Sequence, residues 1–277
     1  MRGFGPSPAW GCECSSSLLG AIPTLTPSEW GAKRIPSLVF SKALAGRVAR
    51  VPFQFAVIRA ARFLREIGPV RQGPKGILAR LAASTGVAAV AGAAWRRTHS
   101  YAPPSGYSFE EIASWPSDLN AVWKSCRDDF HFALARDARA VQDLHAASQG
   151  RLHRYVLRRG NGLLGWSAGL FTQMRESPYF GNLLVGTILD ALAPPEHLDA
   201  WLAHTYHGLR ELGADLIVAN YTHECWRDRF RRLGFFNGPS NYLLALSKPL
   251  AAALGPGPNT LDRAYMSRAD GDGRLNL

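Results

Sequence analysis

The chain has 277 residues, 47% hydrophobic and 19% charged, enough for one ordinary core and somewhat more than a single domain needs. Eight Trp, eight Tyr and thirteen Phe exclude wholesale disorder, because disordered chains lack the apolar groups that offset ordering entropy. The net charge of +11 is regional: residues 1–100 hold 14 Lys/Arg against 3 Asp/Glu, and residues 101–277 hold 18 against 18, so it does not mark the whole protein as a nucleic-acid binder.

Cysteines at 12, 14, 126 and 225 are too few and too scattered for a disulfide framework, and Cys12-Glu13-Cys14 has no second close pair to complete a zinc site. No metal is expected, and a reducing, cytoplasmic setting is the simplest reading. Met1 to Pro8 contains no apolar run long enough for a secretory signal.

Residues 1–50 are rich in Gly, Pro and Ser, with one strand-like run at Ser37–Ser41. Phe55, Ile58, Phe63 and Ile67 then interleave with Arg59, Arg62 and Arg65, which predicts a basic helix with one apolar side over 53–67. Gly76 to Trp95 has the length of a membrane span. It contains Arg80 and consists largely of Ala, Gly, Ser and Thr, so a small-residue helix packed on protein or lying on a surface is expected instead. The breaker cluster at 102–106 coincides with the change in charge balance and places a domain boundary there, giving a basic segment 1–105 and a domain 106–277.

Asp118 is placed to cap a helix carrying Leu119, Val122, Trp123 and Cys126, and a second helix begins near Arg136-Asp137. Two strand-like runs, 152–158 and 163–171, flank an Asn161-Gly162 turn and predict a hairpin. Leu183–Leu189 reads as a buried strand, with Gly186 where a bulge or a close backbone approach would fall. Pro194-Pro195 suits the first turn of a helix in which Leu198, Trp201, Leu202, Tyr206 and Leu209 recur, and Gly213 ends it. A short strand at 216–219, an arginine-rich amphipathic helix at 223–233 stopped by Gly234, and a strand at 241–247 complete the order. The expected class is α/β (α+β), a mixed, mostly antiparallel sheet flanked by helices and preceded by a helical, irregular basic segment.

The run Leu183 to Leu246 resembles the C-terminal half of the GNAT (Gcn5-related N-acetyltransferase) fold. The features that carry this are the strand at 213–219, the helix ending Arg232-Leu233-Gly234-Phe235 and the strand at 241–247. Phe130–Asp137 and the ending Asp270–Gly273 are similar to a bacterial branch associated with exopolysaccharide biosynthesis. Members of that branch can carry two tandem halves, and Met1–Gly5 with Glu29–Gly31 resembles remnants of a truncated first half. The resemblance implies an acyl-CoA, such as acetyl-CoA, whose pantetheine lies between two splayed strands. It implies CoA contacts from Leu189, Ala191, Leu192, His197, Asn220 and Phe230, a general base at Asp190, and a general acid from Tyr221 or His223. A small molecule or glycan precursor would accept the acyl group.

Two departures qualify this. Ala193-Pro194-Pro195-Glu196-His197-Leu198-Asp199 replaces the Gly-rich loop that would hold a diphosphate, and it offers fewer N–H donors and two acids. Position 230, where a general-acid tyrosine often stands, is Phe. A non-catalytic module that uses its basic first hundred residues on an acidic partner or an anionic membrane surface is therefore the alternative, with nucleic acid the less favoured partner. Asp270-Gly271-Asp272-Gly273 lacks the remaining ligands of a calcium loop and reads as a tail turn, and the arginines at 227–232 read as a solvated face.

Overall fold

The structure, a computed structural model, describes residues 47–68, 83–99, 102–146, 151–240, 242–248, 251–252 and 258–271. The strand-like run at 37–41, the Met1–Gly5 and Glu29–Gly31 fragments, Cys12, Cys14 and Asp272 lie outside these residues.

Two short strands open the described chain. β1 (Arg47–Arg50) is followed by β2 (Phe53–Val57), in which Gln54 and Ala56 point inward in the period-two pattern of a strand. Helix α1 (Ala60–Glu66), helix α2 (Val87–His99) and strand β3 (Ser108–Ile112) come next. Helix α3 (Leu119–Cys126) buries Leu119, Val122 and Cys126, the expected apolar side. Asp118 stands at its N-terminus without capping it: its backbone is helical, at φ −71° and ψ −5°, where a capping residue is typically extended, and its Oδ2 lies 3.1 Å from Arg158. After β4 (Phe132–Ala133), helix α4 (Ala138–His145) is capped by Asp137, which accepts the Ala140 N–H at 2.8 Å.

Strands β5 (Leu152–Arg159) and β6 (Gly162–Gln173) form the expected hairpin, but its two-residue turn is Gly160-Asn161 and not Asn161-Gly162, because Arg159 pairs with Gly162; Gly160, at φ 57°, supplies the positive φ the turn needs. β7 (Leu184–Leu192), a 3₁₀ turn at Pro195–His197, α5 (Leu198–Glu211), β8 (Leu216–Ala219) and α6 (Glu224–Arg232) follow the sequence pattern closely. β9 (Phe236–Gly238), β10 (Leu243–Leu246), β11 (Ala264–Tyr265) and a 3₁₀ turn at Arg268–Asp270 end the described chain.

Seven strands form one sheet in the order β3-β5-β6-β7-β8-β2-β9, and every neighbouring pair is antiparallel except β7–β8. This is the mixed, mostly antiparallel sheet flanked by helices that the element order predicts. One face is covered by α5 and α6 through Trp201, Tyr206, Trp226 and Phe230. The other is covered around β5–β7 by α3 and α4 through Leu119, Val122, Cys126 and Val141.

Three expectations need correction. Residues 53–67 are a strand and then a helix, because Phe53, Phe55 and Val57 alternate along β2 while only α1 carries the arginine spacing. β2 pairs with both β8 and β9 inside the sheet, so the boundary at 105 cuts through a unit that spans Ala45–Leu277. The strand at 241–247 is present as β10 but pairs with β1 outside the seven-stranded sheet. Among the described residues no helix is long and apolar enough to cross a membrane.

Candidate functional site

β7 lies beside β8 only from Val185 to Ile188, against Leu216 to Ala219. The next residue, Leu189, is an extra residue against β6, where Gly169 pairs with Ile188 and Ala168 with Asp190. Such a bulge bends its strand and increases its twist, so β7 follows β6 and parts from β8 at this point. The bulge falls at Leu189 rather than at Gly186, which stays paired and lies beneath Leu209 of α5. Beyond β8 the chain continues through Asn220, Tyr221 and Thr222. The parting thus brings Asp190 and Ala191 opposite Asn220 and Tyr221, four of the residues expected at an acyl-CoA site, and all four are buried.

Strand backbone exposed by such a parting must find partners. Here they come from the chain itself. Ser267 forms an antiparallel bridge with Tyr221, Thr222 N donates to Met266 O at 3.2 Å, and Met266 N donates to Thr222 Oγ1 at 3.0 Å. The Tyr265 hydroxyl donates to the carbonyl of Ala191, whose N–H reaches Asp190 Oδ1 at 3.1 Å. Asn220 donates to Pro52 O and accepts from Arg268 at 3.1 Å. On the far side of Tyr221, the Gln54 side chain pairs with both its N–H and its C=O. Tyr265 packs in the core beneath α5 and α6, and Ala269 in the core beneath α3. Residues 264–270 therefore thread the parting from one face of the sheet to the other.

A group of charges seals the passage. Arg136 Nε lies 2.8 Å from Asp190 Oδ2 and its Nη2 2.6 Å from Asp270 Oδ1, with all three side chains at 0% exposure. Ser267 Oγ donates to Asp190 Oδ1 at 2.8 Å, and the Tyr265 hydroxyl lies 3.2 Å from the same oxygen. Burial alone would lower the Arg136 guanidinium, but Asp190 and Asp270 beside it raise it above the ordinary arginine range. Burial raises the Asp270 carboxyl, opposed by Arg136 and reinforced by Asp190. Burial, followed by the charge of Asp190, holds the phenols of Tyr221 and Tyr265 well above their usual value, so both remain proton donors. Both oxygens of Asp190 thus face groups of the chain itself, Oδ2 the Arg136 guanidinium and Oδ1 the hydroxyls of Ser267 and Tyr265.

The other expected residues divide. Leu189 and Leu192 are core side chains packed with Trp166 beneath α3. Phe230 is buried between Tyr221 and Phe235, at ring separations of 5.3 and 4.9 Å. Tyr221 stacks on Trp226 at 4.9 Å. His223 begins α6 with its ring edge-on to Phe130, and burial lowers its pKa, leaving a neutral imidazole at pH 7. His197 lies in the 3₁₀ turn before α5, with Nδ1 3.4 Å from the Tyr107 hydroxyl. Glu196 lies within that turn and Asp199 in the first turn of α5, so acids and prolines stand at the helix N-terminus in place of a Gly-rich cradle of amides. In α6, Arg227, Arg229 and Arg231 pair with Asp262, Asp199 and Asp228.

Sequence reasoning missed Arg136, Tyr265 and Ser267 as partners of Asp190 and took Asp270 for a tail turn. Asp270 is instead a buried ion-pair member, engaged with Arg136 across 134 positions of chain. A lone arginine and a Tyr-Met-Ser run near the chain end carry no local signal of this meeting.

No protein-family model matches the chain, and no curated protein does. Solved structures include partial likenesses. An aminoglycoside acetyltransferase from an uncultured soil metagenomic sample, in complex with sisomicin, is 14% identical over 39% of this chain and 73% of its own, with a TM-score of 0.28. The N-myristoyltransferase of Saccharomyces cerevisiae with bound myristoyl-CoA is 11% identical over 72% of this chain and 46% of its own, with a TM-score of 0.43. A GCN5-related N-acetyltransferase from Anabaena variabilis is 9% identical over 69% of this chain and 60% of its own, with a TM-score of 0.35.

Proposed function

We propose that the chain is a GNAT-like acyltransferase that moves an acyl group from an acyl-CoA, such as acetyl-CoA, to an amine or hydroxyl, with the parting of β7 and β8 as its site. The observation that carries this reading is the single parallel pair in an otherwise antiparallel sheet, parted by a bulge beside a carboxylate. In the reaction the acceptor nitrogen or oxygen forms a bond to the thioester carbonyl carbon and the C–S bond breaks. The acceptor's proton passes to a base and the leaving thiolate takes up a proton. Asp190 is the carboxylate placed for the first transfer, and it becomes available only when residues 264–270 leave the parting. In the finer form of the proposal the acceptor is a glycan precursor of exopolysaccharide biosynthesis and the reaction is cytoplasmic. The glycan acceptor rests on the resemblance of Phe130–Asp137 and Asp270–Gly273, and the cytoplasmic setting on the few, scattered cysteines.

A second reading has its own support. The Ala191 carbonyl, where a pantetheine amide would bind, is occupied by the Tyr265 hydroxyl, and the turn before α5 lacks a diphosphate cradle. In that reading the fold is a closed, non-catalytic module. Isothermal titration of the full chain with acetyl-CoA separates the two. Saturable heat, strengthened by Tyr265→Phe because the Ala191 carbonyl is freed, supports the enzyme. Absence of heat from both proteins at millimolar ligand overturns it in favour of the closed module.

A further inference from the structure

Val87, Val90 and Trp95, three of the exposed large apolar side chains among the described residues, lie on helix α2. Ala88, Gly92 and Arg96 face the protein: Gly92 lies so near Ala60 that a Cβ would stand 2.8 Å from it, and Arg96 donates to Ile58 O at 2.8 Å. Val87, Val90, Ala91 and Ala94 form a stripe at three- and four-residue steps on the outward side, with Val87 61% and Val90 72% exposed. The stripe runs into Arg97. Beside it Trp95, 41% exposed, turns its indole N–H inward to Gly234 O at 3.3 Å and stacks on the exposed Phe236 at 5.0 Å.

The surroundings are basic. Arg59, Arg62 and Arg65 lie on or beside α1, which packs against α2, and Arg59 and Arg62 share one buried carboxylate, Asp215. Between Glu66 and Glu110 the chain has no Asp or Glu. A soluble partner would meet a stripe of small side chains with few shape features. A bilayer with anionic headgroups offers apolar depth beneath the stripe and negative charge at the level of the arginines. The half-exposed indole of Trp95 beside the stripe is a side chain favoured at the boundary of apolar and polar layers.

We propose that the outward stripe of α2, with Trp95 and the arginines around it, docks the protein on an anionic membrane surface. The proposal does not depend on acyl transfer. It is tested by co-sedimentation of the full chain with phosphatidylcholine vesicles, with and without about one-third phosphatidylglycerol. Binding is expected only to the anionic vesicles and is expected to fall as salt is raised. Val87→Ser with Val90→Ser should weaken it at least about tenfold by removing the apolar contact without changing the charge. Because both side chains are exposed, the thermal midpoint of the variant should match that of the wild type, and a shifted midpoint is replaced by testing Val90→Ser alone. The proposal is overturned by equal binding to neutral vesicles, by undiminished binding of the folded variant, or by wild-type dimers that the variant dissolves, which assign the stripe to a second copy. Binding to a DNA duplex that the substitution weakens as much as vesicle binding also overturns it, since valines gain nothing from phosphate.

Discussion

Two carboxylates and one guanidinium share a fully buried site, and that arithmetic decides what each residue can tolerate. Arg136 answers both Asp190 and Asp270, each at 0% exposure. Arg136→Met keeps a stem of similar length and leaves two acids facing each other. Breaking a buried pair by removing one partner costs about 3–5 kcal/mol, because the remaining charge is neither hydrated nor paired. Urea denaturation should show this as a lower midpoint with an unchanged slope. Adding Asp190→Asn and Asp270→Asn to the same chain should recover much of the loss, since no uncompensated charge remains. A single variant as stable as the wild type would show that water reaches the group. Asp190 can be picked out in the sequence as the acid at a strand end. Its partners cannot, because the contacts join chain positions that share no periodic pattern.

Helices and turns of this chain follow from local chemistry, and the sequence reads them well for that reason. Pro195 opens the turn into α5, Asp137 caps α4, and Gly213 at φ 94° and Gly234 at φ 81° end α5 and α6. Gly213 offers a clean test of the backbone contribution. A Cβ there would meet only the Arg59 guanidinium, at an ordinary 3.7 Å, so space is not limiting and φ is. Gly213→Ala should destabilise the protein by about 1–2 kcal/mol, the cost of holding an L-residue in a left-handed conformation. The check is a denaturation midpoint that falls while the far-ultraviolet circular dichroism at low denaturant is unchanged. β2 escapes the same kind of reading. Its Phe-Gln-Phe-Ala-Val pattern runs directly into the arginines of α1, and a continuous window averages a five-residue strand into the helix that follows. β9, with three residues, and β11, with two, are too short to carry a period.

Charge and fold divide the molecule at different places. The excess of positive charge ends near residue 100, whereas the sheet takes in a strand from residues 53–57 and inserts it between β8 and β9. Removing everything before 106 would therefore strip α1, α2 and an inner strand along with the basic segment. β8 would become an edge, Ile217 and Val218 would lose their partners Ala56 and Phe55 in β2, and Tyr221 would lose the Gln54 side chain that holds its backbone. Unpaired strand backbone beside an uncovered apolar face favours aggregation over folding. A chain of residues 106–277 should consequently fail to show a cooperative thermal transition and should bind a hydrophobic dye. A chain beginning at Ala45 keeps the whole described unit and should unfold in one cooperative transition. If the 106–277 chain instead melted cooperatively, β2 would be an accessory to the sheet, and the split by charge would be a split between domains after all.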